Sequence, residues 1–141
     1  EVREWPISGV AFTFYVPRAN DDTGLAWDDL ADRDPVIDRL IAAKKKDPNL
    51  VKANVGTLEL MYSDRCLEYT GENGENCLMG STLPLYMGDG GRFERTFCCF
   101  GNDVDCSHCG GYVVFNSAYH KQIKGEGEYH HRSRYFSKPK P

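Results

Sequence analysis

The chain has 141 residues, 40% of them hydrophobic and 27% charged, with a formal net charge of −4. Those values describe a single globular domain of ordinary size and exclude wholesale disorder. The acidic balance argues against a nucleic-acid module, and no apolar run approaches the roughly 20 residues needed to span a bilayer. The charge is uneven: from His120 onward six Lys/Arg face two Glu, a net of +4, which marks a basic extended tail over residues 116–141. The first residues, Glu1 to Pro6, do not form a signal peptide, and the chain begins without Met, so a processed product or a piece of a longer polypeptide is expected.

The first predicted element is a strand. Val10, Phe12, Phe14 and Val16 fall on one face and Ala11, Thr13 and Tyr15 on the other, and the run stops at Pro17. Both faces are mostly apolar, as in a parallel strand covered by helices. Residues 18–34 hold six aspartates. They lack the order of a calcium-binding EF-hand loop, so they are read as a loop with helix-capping acids. Asp34 is the expected N-cap and Pro35 the first helical residue of an amphipathic helix, with Val36, Ile37, Leu40 and Ile41 at helical spacing. Lys44, Lys45 and Lys46 are expected at its solvated, dipole-favoured end, before Asp47-Pro48 stops it.

A second short strand is expected over Leu50–Val55 and a short helix over Leu58–Tyr62. Strand, helix, strand, helix is an α/β order, but two strands do not complete a sheet. Residues 1–63 therefore read as strand and helix elements of an incomplete (β/α) barrel, or as a unit that docks on another polypeptide. Beyond Ser63 the composition changes. Tyr69 to Asn76 is a turn-rich linker, and Leu83–Met87, Gly88–Gly91 and Arg92–Phe97 predict strand, tight turn and strand. Tyr112–Phe115 is a last strand or the start of a short helix, and an extended arm follows from Lys121. The fold class is thus α/β to α+β, with a small β-hairpin and a cysteine-rich, cluster-binding region over residues 64–115.

Chemistry concentrates in residues 98–111, which contain four of the six cysteines. Cys106 and Cys109 form a C-x2-C knuckle that lets two thiolates converge on one ion. Cys98 or Cys99 stands shortly upstream, and antiparallel pairing in the hairpin returns Cys77 to the same end. Four sulfurs from one compact region are the donor set of a [4Fe-4S] cluster or a four-thiolate zinc site, and spacing alone ranks the two equally. Three disulfides in a secreted binding protein are the alternative that an even cysteine count requires. Against it, the cysteines crowd into residues 66–109 and no N-glycosylation sequon occurs. A reducing, cytoplasmic location follows from the metal reading.

Other candidates read as bland. His108 inside the knuckle is read as solvent-facing, and His120 with His130-His131 as tail histidines in place of a second metal site. Tyr112, Tyr119 and Tyr129 are packing or surface aromatics. Neither Cys66 nor Cys98 is marked as a protease nucleophile, which would need an activated thiol, an ordered histidine and an oxyanion hole.

The combination of Gly9–Pro17, Gly24–Trp27, Asp34–Leu40, Cys77–Gly80, the Gly88–Arg92 turn before Cys98-Cys99, and Cys99-x6-Cys106-x2-Cys109-Gly110 resembles the C-terminal part of radical S-adenosylmethionine (radical SAM) proteins that end in a SPASM or twitch-like auxiliary cluster domain. The likeness runs over about residues 9–115. It implies an auxiliary [4Fe-4S] cluster held by Cys77, Cys99, Cys106 and Cys109, with Cys98 as the alternative to Cys99; Cys66 has no matching position. The radical-generating C-x3-C-x2-C motif is absent from the sequence. The resemblance therefore implies a portion or subunit that is inactive alone, meeting S-adenosylmethionine only through a missing half or partner chain that carries the radical SAM core.

Overall fold

The computed structural model describes residues 4–81, 85–88, 90–96, 98 and 100–123. In chain order the described elements are a 3-10 turn Leu30–Arg33, helices α1 (Asp34–Lys46), α2 (Val55–Glu59) and α3 (Cys66–Thr70), a 3-10 turn Leu78–Ser81, strands β1 (Leu85–Met87) and β2 (Phe93–Arg95), helix α4 (Tyr112–Ala118) and a π-turn Tyr119–Ile123.

Helix α1 forms where the apolar spacing placed it, and Ile37 and Ile41 are the side chains it buries. Its start differs in detail from the expectation. Asp29 caps the preceding 3-10 turn by accepting from the Ala31 N–H, so Asp34 is already helical. The Asp34 carboxylate instead accepts from the Ser63 amide at 2.9 Å and the Ser63 hydroxyl at 2.6 Å. A long-range tie replaces the local cap. Lys44 also departs from its solvated expectation: its Nζ donates to the carbonyls of Pro48 and Val51, both at 2.7 Å, and closes the loop after the helix. Lys45 and Lys46 are exposed.

The expected strands over residues 10–16 and 50–55 reduce to a single parallel bridge between Val10 and Val51. Val10 donates to the Leu50 carbonyl at 2.7 Å and accepts from the Lys52 amide at 2.9 Å. Burial on both faces is not found, because Ala11, Phe12 and Thr13 are exposed. Alternation specifies only which residues share a face, and what covers that face depends on distant chain. Here the segment turns to the knuckle: Phe14 donates to the Gly110 carbonyl at 3.0 Å, and the Thr13 hydroxyl accepts from the Tyr112 amide.

Helix α2 begins three residues earlier than expected because Asn54 caps it, its side chain accepting from the Gly56 N–H at 2.9 Å. Tyr69 and Thr70, read as linker, are buried in α3. Tyr112–Phe115 resolves as helix, not strand, and α4 becomes the central element, packed against α2, α3 and the 78–81 turn. Val114, Phe115 and Ala118 share one apolar core with Ile37, Leu58 and Met61, so the core takes side chains from both sides of residue 63. The hairpin pairs Leu85 with Arg95 and Met87 with Phe93, antiparallel as expected. Asp89 of its turn, Leu83, Pro84, Phe97 and the expected arm over residues 124–141, with Tyr129 and His130-His131, lie outside the described residues. Among the described residues no helix is long and apolar enough to cross a membrane.

Candidate metal centre

The knuckle is built by Asp105. Its Oδ1 accepts from the Ser107 amide at 3.0 Å and the His108 amide at 3.4 Å, turning the chain so that the Cys109 amide reaches the Cys106 carbonyl at 3.3 Å. Its Oδ2 meets His108 Nδ1 at 2.8 Å. Burial alone would raise the Asp105 carboxyl, but the hydrogen bonds from Ser107 and His108 hold it below the ordinary carboxylate range. His108 Nδ1 is thereby committed to the loop. Ser107 Oγ lies 2.9 Å from the same nitrogen, so these three residues are not a hydrolytic triad, in which serine and aspartate use opposite ring nitrogens.

Behind the knuckle, Gly110 makes a close approach that no other residue allows. A Cβ there would collide with the Tyr15 carbonyl oxygen and stand 2.8 Å from the Phe14 carbonyl carbon. Its role is contact with the N-terminal segment. The same segment runs on beside the cysteine loop: Asp105 donates to the Pro17 carbonyl at 2.9 Å, Ala19 to that of Asp103 at 2.7 Å, and Arg18 holds the Asp103 carboxylate at 2.7 Å.

Cys98 and Gly101 exchange backbone hydrogen bonds at 3.2 and 2.9 Å across a two-residue loop, with Gly101 at φ +125°. Cys98 is buried there. Cys77 is half-buried after a turn in which its amide donates to the Gly74 carbonyl at 3.1 Å. The cysteines interact electrostatically. Burial first, then the charges of Cys77 and Cys98, push the Cys106 thiol up to about 11. Burial first, with Cys77, Cys98 and Cys106 adding against a hydrogen bond from Gly111, pushes Cys109 up to about 12. The thiols of Cys77 and Cys98, from two separate segments, thus lie within electrostatic reach of both knuckle cysteines. Cys99 lies outside the described residues, so of the vicinal pair only Cys98 has a described place in this group.

Cys66 lies apart. Its Sγ is 3.7 Å from the Ser63 carbonyl, and burial raises its pKa while the Arg33 guanidinium opposes the rise. Among the described residues no disulfide joins Cys66, Cys77, Cys98, Cys106 or Cys109. Nor does any group of three or more Cys, His, Asp or Glu side chains among them stand arranged to hold a metal ion. The donor chemistry nevertheless fits a thiophilic cation or cluster: the buried Cys106 and Cys109 sulfurs, which resist ionising alone, lose their protons readily to a metal, which supplies the missing positive charge.

Arg33 is the residue that pattern reading passed over. It is fully buried, and its Nη1 donates to the Cys109 carbonyl at 3.2 Å while Nη2 donates to that of Met61 at 2.6 Å. In the sequence it is one basic residue inside an aspartate-rich loop, and no periodicity marks it as buried. No family model, characterised protein or solved structure matches the chain.

Proposed function

We propose that Cys77, Cys98, Cys106 and Cys109 hold an iron-sulfur cluster, and that the chain is a C-terminal portion or subunit of a radical SAM-type enzyme in which this cluster is auxiliary. The observation that carries the reading is that Cys77 and Cys98, from two other segments, both act electrostatically on Cys106 and Cys109 of the knuckle. Four thiolates are the donor set of a [4Fe-4S] cluster, and when bound the cluster would supply electron transfer or structural support. This chain's own residues do the rest. Asp105 shapes the knuckle, Gly110 seats it on the N-terminal segment, and the amide of Gly111 bonds to the Cys109 sulfur, a contact that lowers thiolate basicity. S-adenosylmethionine chemistry belongs to a partner chain or further segment with the C-x3-C-x2-C motif, in the reducing cytoplasm.

Anaerobic purification with iron, sulfide and zinc analysis of one sample tests this. The expected result is brown protein with about four irons and four sulfides per chain, a content that C98S abolishes and C66S leaves intact. One zinc and no colour would make the same four thiolates a structural interaction module. Neither metal, with all thiols oxidised, would overturn both readings in favour of a disulfide-stabilised secreted protein.

A further inference from the structure

We propose that the outer edge of β2 is a self-association surface, on which a second copy of this chain pairs antiparallel through its own β2. The inference is independent of the metal reading. The hairpin sheet has the order β1-β2, so among the described residues the far edge of β2 carries no partner strand. Gly88 donates to the Arg92 carbonyl at 2.9 Å. Antiparallel pairs alternate between bonded and non-bonded, so Glu94 bonds inward across the ladder to Tyr86, while Phe93, opposite Met87, turns its N–H and C=O to the open edge. Such an edge is a template for another strand. The hairpin also stands clear of the helices: its strands contact each other and no helix to a comparable extent. Leu85, Met87 and Phe93 are exposed on one face, Arg92 and Glu94 on the other.

Charge along the edge selects its occupant. With a two-fold axis at Phe93, the Phe93 residues of the two copies form a bonded pair, and Arg92 of each copy stands opposite Glu94 of the other. Both flanking pairs are then of opposite charge, and the aromatic pair lies between them on the apolar face. Centring the axis on Arg95, the next residue with outward backbone groups, sets arginine opposite arginine. Strand β1, Leu85–Met87, has no charged residue to fix a register. The register at Phe93 therefore satisfies the backbone and the charges together. It also lengthens a sheet of two three-residue strands, which is too small to stand alone.

The test is sedimentation velocity of the full chain from micromolar to millimolar concentration, with the thiols kept reduced so that no intermolecular disulfide contributes. The expected result is a concentration-dependent equilibrium between monomer and dimer, with exchange of the Phe93 amide slowing as the dimer fills. R92E and E94R each set like charges opposite one another twice and should weaken the dimer about tenfold. The double variant R92E/E94R exchanges the charges and should return affinity to within about threefold of wild type, and an equimolar mixture of the two single variants should form a mixed dimer. A wild type that stays monomeric throughout would overturn the proposal and leave the edge to a different polypeptide. So would a dimer indifferent to both single reversals, or growth into larger assemblies, which a closed two-fold pair does not allow. The wild-type series and the Phe93 exchange are read without any variant, so a variant that misfolds does not shield the proposal from refutation.

Discussion

The helical part of the molecule and its cysteine-bearing part are held by different means. In the first, α1, α2, α3 and α4 bury Ile37, Leu58, Met61, Val114 and Phe115 against one another, each at 1% exposure or less. In the second, the hairpin leaves Leu85, Met87 and Phe93 at 58–69% exposure, and among the described residues of 85–109 the buried side chains are the thiols of Cys98, Cys106 and Cys109. Two three-residue strands do not stabilise themselves in water. The comparison teaches where a metal would matter most: a region too small to bury an adequate core needs a staple, and here three of the four proposed donors, Cys98, Cys106 and Cys109, are buried.

Breaking the shared element should have the largest effect. Phe115 is fully buried in α4, which packs against α2, α3 and the 78–81 turn and directly follows the knuckle, so F115A should cost about 3–5 kcal/mol and lower the urea midpoint. Both parts should unfold in one transition; a variant that melted the helices while residues 98–111 stayed protected would refute the common core.

G110A sharpens the contrast. Its Cβ meets backbone of the N-terminal segment, which cannot swing aside, and the expected cost is about 1–3 kcal/mol. Hydrogen exchange should rise over residues 98–111 and change little over 34–46. Equal loss in both would remove the distinction between the regions.

The smallest effect lies within the helical part. Tyr62 donates to Asp38 Oδ1 at 2.6 Å, and that hydrogen bond, followed by burial, pushes its hydroxyl up to about 12. The folded value lies above the unfolded one of about 10, so the contribution is complete below that pH and lost as pH rises through about 12. The pair is largely exposed, so Y62F should cost under about 1 kcal/mol at neutral pH. It should also flatten the alkaline fall in stability between pH 10 and 12. Parallel curves for Y62F and wild type through that range would rule the contact out as its source.

Much of the local structure was legible in the sequence. Pro35 followed by apolar residues at helical spacing specified α1, and a Gly-Asp-Gly-Gly stretch between β-prone runs specified the hairpin. In both, neighbours in sequence carry the signal, through backbone freedom at glycine and the period of buried side chains. The clustering of cysteines was legible for the same reason. The Asp34 misreading shows the limit of a cap signal, since its carboxylate found Ser63 by tertiary contact while Asp29 took the local role.

What the sequence by itself determined is therefore a set of local elements and a sulfur-rich region whose ends a hairpin returns toward each other. Tertiary structure decided the rest. It left Phe12 exposed in a run that alternation marks as strand, gave Cys98 a buried place within electrostatic reach of Cys106 and Cys109, set Cys66 against Ser63 and Arg33, and enclosed Arg33 under the knuckle. Those outcomes depend on which distant segments meet. Burial and electrostatic environment are properties of that meeting, and no local pattern of side chains encodes them.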